Sequence, residues 1–189
     1  MINLAKQYAM TVQVAKCIGC QACTVACKFQ NHVPEGQYRT ITPAIGPTGT
    51  YPNLKMTFEK EACQMCSNTP CVKVCPTKAS YKNEDGIVLI DSNKCVGCKY
   101  CMTACPYDAR FINEETGAAD KCSFCYETRV SKGEKPACVT TCVGGALAFG
   151  DLNDPESDVA KLLAKYKHEV RKPEFGTKPN IYYIYEGVK

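Results

Sequence analysis

Sixteen cysteines among 189 residues constrain this chain more than any other feature, because they fall into four spaced groups with none left over. The first group is Cys17-x2-Cys20-x2-Cys23-x3-Cys27; the second is Cys63-x2-Cys66-x4-Cys71-x3-Cys75, followed by Pro76. The third is Cys95-x2-Cys98-x2-Cys101-x3-Cys105, followed by Pro106; the fourth is Cys122-x2-Cys125-x12-Cys138-x3-Cys142. A chain this rich in cysteine is either a disulfide framework or a thiolate scaffold for metal.

Spacing separates the two. Cysteines two residues apart are poorly placed to bridge each other, and a disulfide framework does not predict repeated x2-x2-x3 runs. Structural zinc usually takes two CxxC pairs at a distance, and three cysteines within seven residues exceed one tetrahedral site's demand. Haem attachment needs a histidine directly after CxxC, and none is present. The third group has the bacterial ferredoxin spacing without change. Three cysteines on a tight loop wrap one face of an iron–sulfur cubane, while the fourth points away along a helix. In two-cluster ferredoxins that fourth thiolate serves the neighbouring cluster, so motifs come in pairs. Gly19 and Gly97 let the backbone approach closely enough for amides to donate to the sulfurs. The expectation is four [4Fe–4S] clusters held by all sixteen cysteines.

The groups also repeat one another: Lys16 to Cys27 aligns position by position with Lys94 to Cys105. The stretches Tyr8 to Val14 and Gly86 to Ile90 precede them and read as short strands. The segment after each third cysteine reads as a short helix, and Pro76 and Pro106 turn the chain after the fourth. The fold class is therefore α+β and ferredoxin-like: two pseudo-symmetric two-cluster modules with loop insertions. Residues 1–30 with 106–150 form the outer module and 61–105 the inner one. Residues 31–60 are an inserted loop. With four prolines, three glycines and no cysteine, a connection of this length is expected to face a partner. Residues 151–189 are expected to form a helix and an extended docking tail. Asp154-Pro155 reads as its N-cap and N1, and Val159, Leu162, Leu163 and Tyr166 as one buried stripe. Ile181 to Tyr185 reads as an edge strand or a docking segment.

Little else in the sequence carries chemistry. No Walker loop, G-x-G-x-x-G or G-x-S-x-G motif occurs, and both histidines, His32 and His168, read as surface residues. The formal charge is +4, but each oxidised core with its thiolates carries roughly −2, so the loaded protein is near −4, at roughly four times −2 plus 4. Nucleic-acid binding is discarded on that ground. The longest aliphatic run, Ile87 to Ile90, is too short to span a bilayer. Met1 to Lys16 has no export signal, so an exported partner would have to carry the chain outward. Such a chain moves electrons and is not catalytic by itself. Lys16, Lys94 and Lys121 each precede the first cysteine of a group, and Ala62 stands there in the second. A nearby cation favours the reduced cluster, so the Cys63-led cluster is expected to have the lowest potential.

The four groups in this order resemble the four-cluster iron–sulfur subunit of membrane-associated molybdopterin oxidoreductases, the dimethyl-sulfoxide-reductase family. The resemblance covers nearly the whole chain. It rests on Cys17-Ile-Gly-Cys-Gln-Ala-Cys-Thr-Val-Ala-Cys27, Pro70-Cys-Val-Lys-Val-Cys-Pro-Thr-Lys-Ala79, Ala104-Cys-Pro-Tyr-Asp-Ala-Arg110, Lys121-Cys-Ser-Phe-Cys125 and Pro136-Ala-Cys-Val139. Phe149-Gly-Asp-Leu-Asn-Asp-Pro-Glu-Ser157 is similar to a stretch these subunits carry after the last cysteine, and the chain looks most like the polysulfide and thiosulfate reductase branch. The resemblance implies interleaved ligands. Cys17, Cys20 and Cys23 take Cys142, and Cys122, Cys125 and Cys138 take Cys27. Cys63, Cys66 and Cys71 take Cys105, and Cys95, Cys98 and Cys101 take Cys75. Only the two inner groups end in Cys-Pro, which agrees with that split. Where many relatives have a proline after the last cysteine, this chain has Val143-Gly144-Gly145. The resemblance further implies a catalytic subunit carrying molybdenum with two pterin guanine dinucleotides, and an integral membrane subunit handling quinone. It implies a place on the periplasmic face of the membrane through the exported partner, with the cytoplasm as the alternative. A four-cluster subunit of a hydrogenase or formate dehydrogenase, or a free polyferredoxin, are the other readings.

Overall fold

The computed structural model describes residues 6–185. The first five residues of the expected outer module and residues 186–189 of the expected tail lie outside the described residues. Up to the second cysteine group the elements are β1 (Tyr8–Gln13), α1 (Ala22–Gln30), β2 (Thr40–Ile41), β3 (Ala44–Thr50), β4 (Asn53–Phe58) and β5 (Glu61–Ala62). The middle contributes α2 (Pro70–Lys73), β6 (Ser80–Lys82), β7 (Val88–Ile90), α3 (Tyr100–Thr103), β8 (Phe111–Ile112) and β9 (Ala119–Asp120). The last part contributes α4 (Ala137–Thr140), β10 (Leu147–Asp151), α5 (Asp158–Lys165) and β11 (Ile181–Ile184).

The largest sheet has the order β10-β1-β11, with β1 antiparallel to β10 and parallel to β11. A central strand is covered on both faces, so β1 is buried from Ala9 to Gln13 and only Tyr8 is partly exposed. Met10, Val12, Ile181 and Tyr183 from this sheet join Phe124 and Phe149 in the core. Phe149 stacks on Tyr8 at 5.1 Å and meets Phe124 edge-on at 5.2 Å. The antiparallel register has a consequence for the cysteines. Val12 pairs with Leu147, and the Gln13 amide donates to the Ala146 carbonyl at 2.8 Å. The polypeptide entering the first cysteine loop therefore lies beside the segment leaving the last one. Hairpin β6–β7 does the same between Cys75 and Cys95, with Ser80 opposite Ile90. Among the short helices, α1 packs on α4 and α2 on α3, outer with outer and inner with inner.

Two expectations about the connections change. Residues 31–60 are not an irregular loop: they contain β2, which pairs with β5, and the hairpin β3–β4. Every residue of β3 is exposed, so no apolar alternation marks the hairpin in the sequence, and its glycines and proline read as breaks. The C-terminal helix starts later than Asp154. Asp154 instead accepts from the Glu156 amide at 2.9 Å, closing a turn. Ser157 is the cap: its Oγ accepts from the Ala160 amide at 3.1 Å and donates to the Asp151 carbonyl at 2.6 Å. Of the expected stripe only Val159 is fully buried, and Tyr166 lies past the helix end in extended backbone. Ser157→Ala is expected to lower stability by about 1 kcal/mol, read as a fall in Tm with the iron content unchanged.

Of the two readings of the tail, the edge strand is the one the fold takes: β11 is an edge strand of the chain's own sheet, with Ile181, Tyr183 and Ile184 buried. Tyr183 is 1% exposed; its hydroxyl donates to the Lys60 carbonyl at 2.9 Å and accepts from Gln64 Nε2 at 3.3 Å. Arg171 lies over its ring at 4.7 Å and pairs with Glu59 at 2.7 Å and Glu61 at 2.5 Å. The tail thus clamps the segment on both sides of Lys60. Tyr183→Phe leaves a buried carbonyl without its donor and is expected to cost about 1–3 kcal/mol, measured by anaerobic thermal unfolding.

Candidate iron–sulfur cluster sites

All sixteen cysteines are free thiols, and the fold gathers them into four quartets. Cys17, Cys20, Cys23 and Cys142 line one pocket, Cys27, Cys122, Cys125 and Cys138 a second, and Cys75, Cys95, Cys98 and Cys101 a third. Cys63, Cys66, Cys71 and Cys105 stand within electrostatic reach of one another. Each quartet takes the name of its lowest-numbered member. Counting the open solvent they reach, the three pockets have about 370, 290 and 340 Å³ of empty space. Among the described residues no three Cys, His, Asp or Glu side chains converge on a single-ion position. The thiols stand around a volume instead, which suits a multi-atom cluster.

The local backbone explains how three thiols of one loop turn inward. Gly19 and Gly97 occupy the left-handed region with φ of 67° and 65°, and Gln21 and Lys99 follow with 59° and 66°. The sequence repeat is thus a backbone repeat. A side chain at Gly19 would run into the Phe58 ring, 2.5 Å from the Cβ position. The turn also presents donors to sulfur, the Gly19 amide bonding to Cys17. Further amides follow the same pattern: Ser80 to Cys75 at 3.4 Å, Ala119 to Cys95 at 3.3 Å and Ala146 to Cys142 at 3.2 Å. The Gly144-Gly145 turn that stands in place of a proline therefore still delivers an amide to Cys142. Donors aimed at sulfur are what an anionic ligand set requires.

Side chains complete the surroundings. Asn31 Nδ2 donates to Cys27 and Cys125 at 3.6 and 3.7 Å, and Thr42 Oγ1 lies 3.3 Å from Cys23. Arg110, 5% exposed, places Nη2 at 2.9 Å from Cys71 and 2.9 Å from Ser80 Oγ. Burial pushes the Cys66 and Cys138 thiols up to about 12 and raises Cys27 as well. Burial also acts upward on Cys75, but the Ser80, Thr77 and Ala79 donors outweigh it and hold that thiol below its ordinary value. The two middle quartets are the enclosed ones: all of Cys27's quartet is buried, and only Cys105 of Cys63's quartet is partly open. The other two each expose one thiol, Cys20 and Cys98.

Of the three lysines that sequence spacing puts before a cysteine, only Lys121 is buried. Lys16 is exposed, and Lys94 is 65% exposed and paired with Asp91 at 3.2 Å. Lys121 is buried, but its Nζ donates to the carbonyls of Cys122 (2.8 Å) and Val88. The Cys63 quartet, expected to lack a cation, has Arg110 on Cys71, so the ground for giving it the lowest potential falls away. Arg110 is legible in the sequence only as part of Cys-Pro-Tyr-Asp-Ala-Arg. Lys60, Asn31 and Thr42 carry no signal there, since their approach to sulfur depends on the fold of 31–60. His32 is exposed, while His168 is half-buried edge-on to Tyr182 at 5.4 Å.

Thiol quartets on tight amide-lined loops, in a frame of short strands and one-turn helices, define the class of ferredoxin-type iron–sulfur proteins. Residues 54–152 match the 4Fe–4S dicluster domain family, and residues 16–79 match a second family of that description. The chain is 48% identical over 185 residues to a polysulfide reductase chain of Wolinella succinogenes, covering 96% of this sequence and 95% of that one. It is 46% identical over 182 residues to a tetrathionate reductase subunit of Salmonella typhimurium, with 94% and 72% covered. It is 49% identical over 157 residues to the thiosulfate reductase electron transfer subunit of Salmonella typhi, with 82% of each covered. The chain belongs to the iron–sulfur electron-transfer subunits of the dimethyl-sulfoxide-reductase family, which bind [4Fe–4S] clusters and are not catalytic by themselves.

Proposed function

We propose that this chain carries electrons through four [4Fe–4S] clusters between a quinone-reactive membrane subunit and a molybdopterin catalytic subunit. The reductase would act on a sulfur compound of the polysulfide or thiosulfate type. One observation carries the reading: the enclosed Cys27 and Cys63 quartets, neighbours through Cys122 and Cys63, each adjoin a quartet that opens to the surface, at Cys20 and at Cys98. A path with two ends and a sheltered middle suits a fixed relay, whereas a diffusing carrier needs one exchange point. The ligand sets are the four quartets, with Cys27, Cys75, Cys105 and Cys142 each crossing to a neighbouring motif. The inner and outer modules are the two pseudo-symmetric pairs that these crossings create, supported by the packing of α1 on α4 and α2 on α3. Each cluster, when bound, supplies a one-electron couple. The chain's own part is to hold the thiolates, exclude water from the middle and present apolar rims at both ends. Ile18 and Val143 are 61% and 79% exposed beside the Cys17 quartet, and Val96 and Tyr100 are 66% and 62% exposed beside the Cys75 quartet. Partner subunits would cover these rims.

The identity of the relatives supports the sulfur-compound assignment. Among the described residues no helix is long and apolar enough to cross a membrane, so a partner would supply the membrane contact, at the periplasmic face if the catalytic subunit is exported. Purification through a tag on this chain is expected to recover a molybdenum-containing subunit and an integral membrane subunit, with about sixteen iron atoms per copy of the chain. Recovery of a stable, partner-free monomer overturns the relay reading in favour of a free polyferredoxin.

A further inference from the structure

Three buried cations stand where successive quartets meet. Lys60 is 2% exposed and lines both the Cys17 and the Cys27 pockets. Lys121, 2% exposed, follows at the next junction: it adjoins Cys122 of the Cys27 quartet and lies in the field of Cys63 and Cys71. Arg110 touches Cys71 of the Cys63 quartet at 2.9 Å and lines the Cys75 pocket. Its Nη1 is buried without a hydrogen-bond partner among the described residues. There is thus one cation for each of the three junctions.

These cations have no carboxylate. The ion pairs among the described residues all use other lysines and arginines. A buried ammonium or guanidinium is retained only against a counter-charge, because desolvation is too costly to be offset by carbonyl contacts alone. The groups around Lys60 that qualify are the ligand sulfurs of the Cys17 and Cys27 quartets, whose pockets it lines, once they are ionised on their clusters. The fold invests in holding Lys60 there: Tyr183 binds its carbonyl, and Arg171 pins Glu59 and Glu61 on either side.

We propose that Lys60, Lys121 and Arg110 are fixed counter-charges, each shared by the two clusters it separates, that keep neighbouring potentials high and close together. The inference rests on the four-cluster reading above. One electron enters at an end quartet from a reductant and one leaves at the other end to an acceptor. No bond or proton is exchanged. Because the cation sits between two clusters, it favours an added electron on either, and neither site becomes a trap. Lys16 and Lys94, at the surface, are screened by water and contribute little.

The test is an EPR-monitored redox titration of the purified, cluster-loaded complex with dithionite as reductant. Lys60→Gln is expected to lower the reduced-to-oxidised ratio of two of the four clusters at least tenfold at fixed ambient potential, a shift of about 59 mV for one electron. Arg110→Gln is expected to shift a different pair. Lys60→Arg and Arg110→Lys restore the original potentials, and Lys16→Ala and Lys94→Ala move none. Unshifted potentials in Lys60→Gln and Arg110→Gln, or equal shifts of all four clusters, overturn the proposal. Should the glutamine variants fail to retain iron, the charge-keeping variants decide. Full iron and unchanged potentials in them support a charge requirement, and loss of iron in them overturns it. An iron count well below sixteen in the unaltered protein would instead overturn the four-cluster reading.

Discussion

Replacing Cys27 by alanine is expected to abolish the cluster of Cys122, Cys125 and Cys138 while leaving that of Cys17, Cys20 and Cys23 in place. By sequence Cys27 belongs to the first motif, four residues from Cys23. In the fold it faces the pocket of the fourth motif, buried to 6% exposure, with Asn31 Nδ2 donating to it and to Cys125. Cys142 shows the reverse crossing, since the β1–β10 register brings it to Cys17. Iron is expected to fall from about sixteen to about twelve atoms, with the EPR signals of the surface-proximal Cys17 cluster preserved. Stability should drop steeply, because structural metal centres contribute on the order of 10 kcal/mol and this one ties the start of the chain to its last third. If the Cys17 cluster is lost and the Cys122 cluster survives, ligation within single motifs is correct and the crossing is wrong.

Stripping all iron is expected to unfold the tertiary structure, not merely empty it. The chain offers little that stands without its clusters. Helices α2, α3 and α4 have four residues each, far below the length at which an isolated helix persists. Strands β5, β8 and β9 have two. Cys63, Cys71, Cys101, Cys122 and Cys138 are members of the hydrophobic core itself. The measurement is near-ultraviolet circular dichroism of the eleven tyrosines after treatment with chelator and oxidant; a retained native spectrum would refute the expectation. The pH sense follows from the thiols. An ordinary thiol has its pKa above neutral pH, so in the unfolded metal-free chain the cysteines are protonated and loading must displace those protons. Acidification restores the protonated competitor and should hasten cluster loss.

Relatives and fold agree on the part of the molecule that is local. The loop of Cys17, Cys20 and Cys23 is readable without a structure because its backbone is dictated within seven residues: Gly19 supplies the left-handed turn, and the thiols two apart have one face to share. Its copy at Cys95 repeats the same angles. The helix cap shifts by three residues because Asp154 and Ser157 are both good caps, and only the closing of the 154–157 turn selects Ser157. The hairpin β3–β4 is illegible in the sequence because neither of its faces is fully buried. A strand without a buried face leaves no period-two pattern.

The cations mark the boundary most sharply. Position before a cysteine points to Lys16, Lys94 and Lys121, yet a charge acts through distance and burial, neither of which sequence adjacency sets. Lys16 and Lys94 face water, while Lys60 and Arg110 are carried to sulfur by a strand pairing and a loop remote from the thiols they meet. What this protein binds can be read from its cysteines alone, because thiolate number and spacing are properties of short loops. Which quartets lie at the surface, which are enclosed and which charges stand between them emerge only from the folded chain. Burial and electrostatic contact arise from segments far apart in the chain, as the pairing of Met10 with Ile181 illustrates.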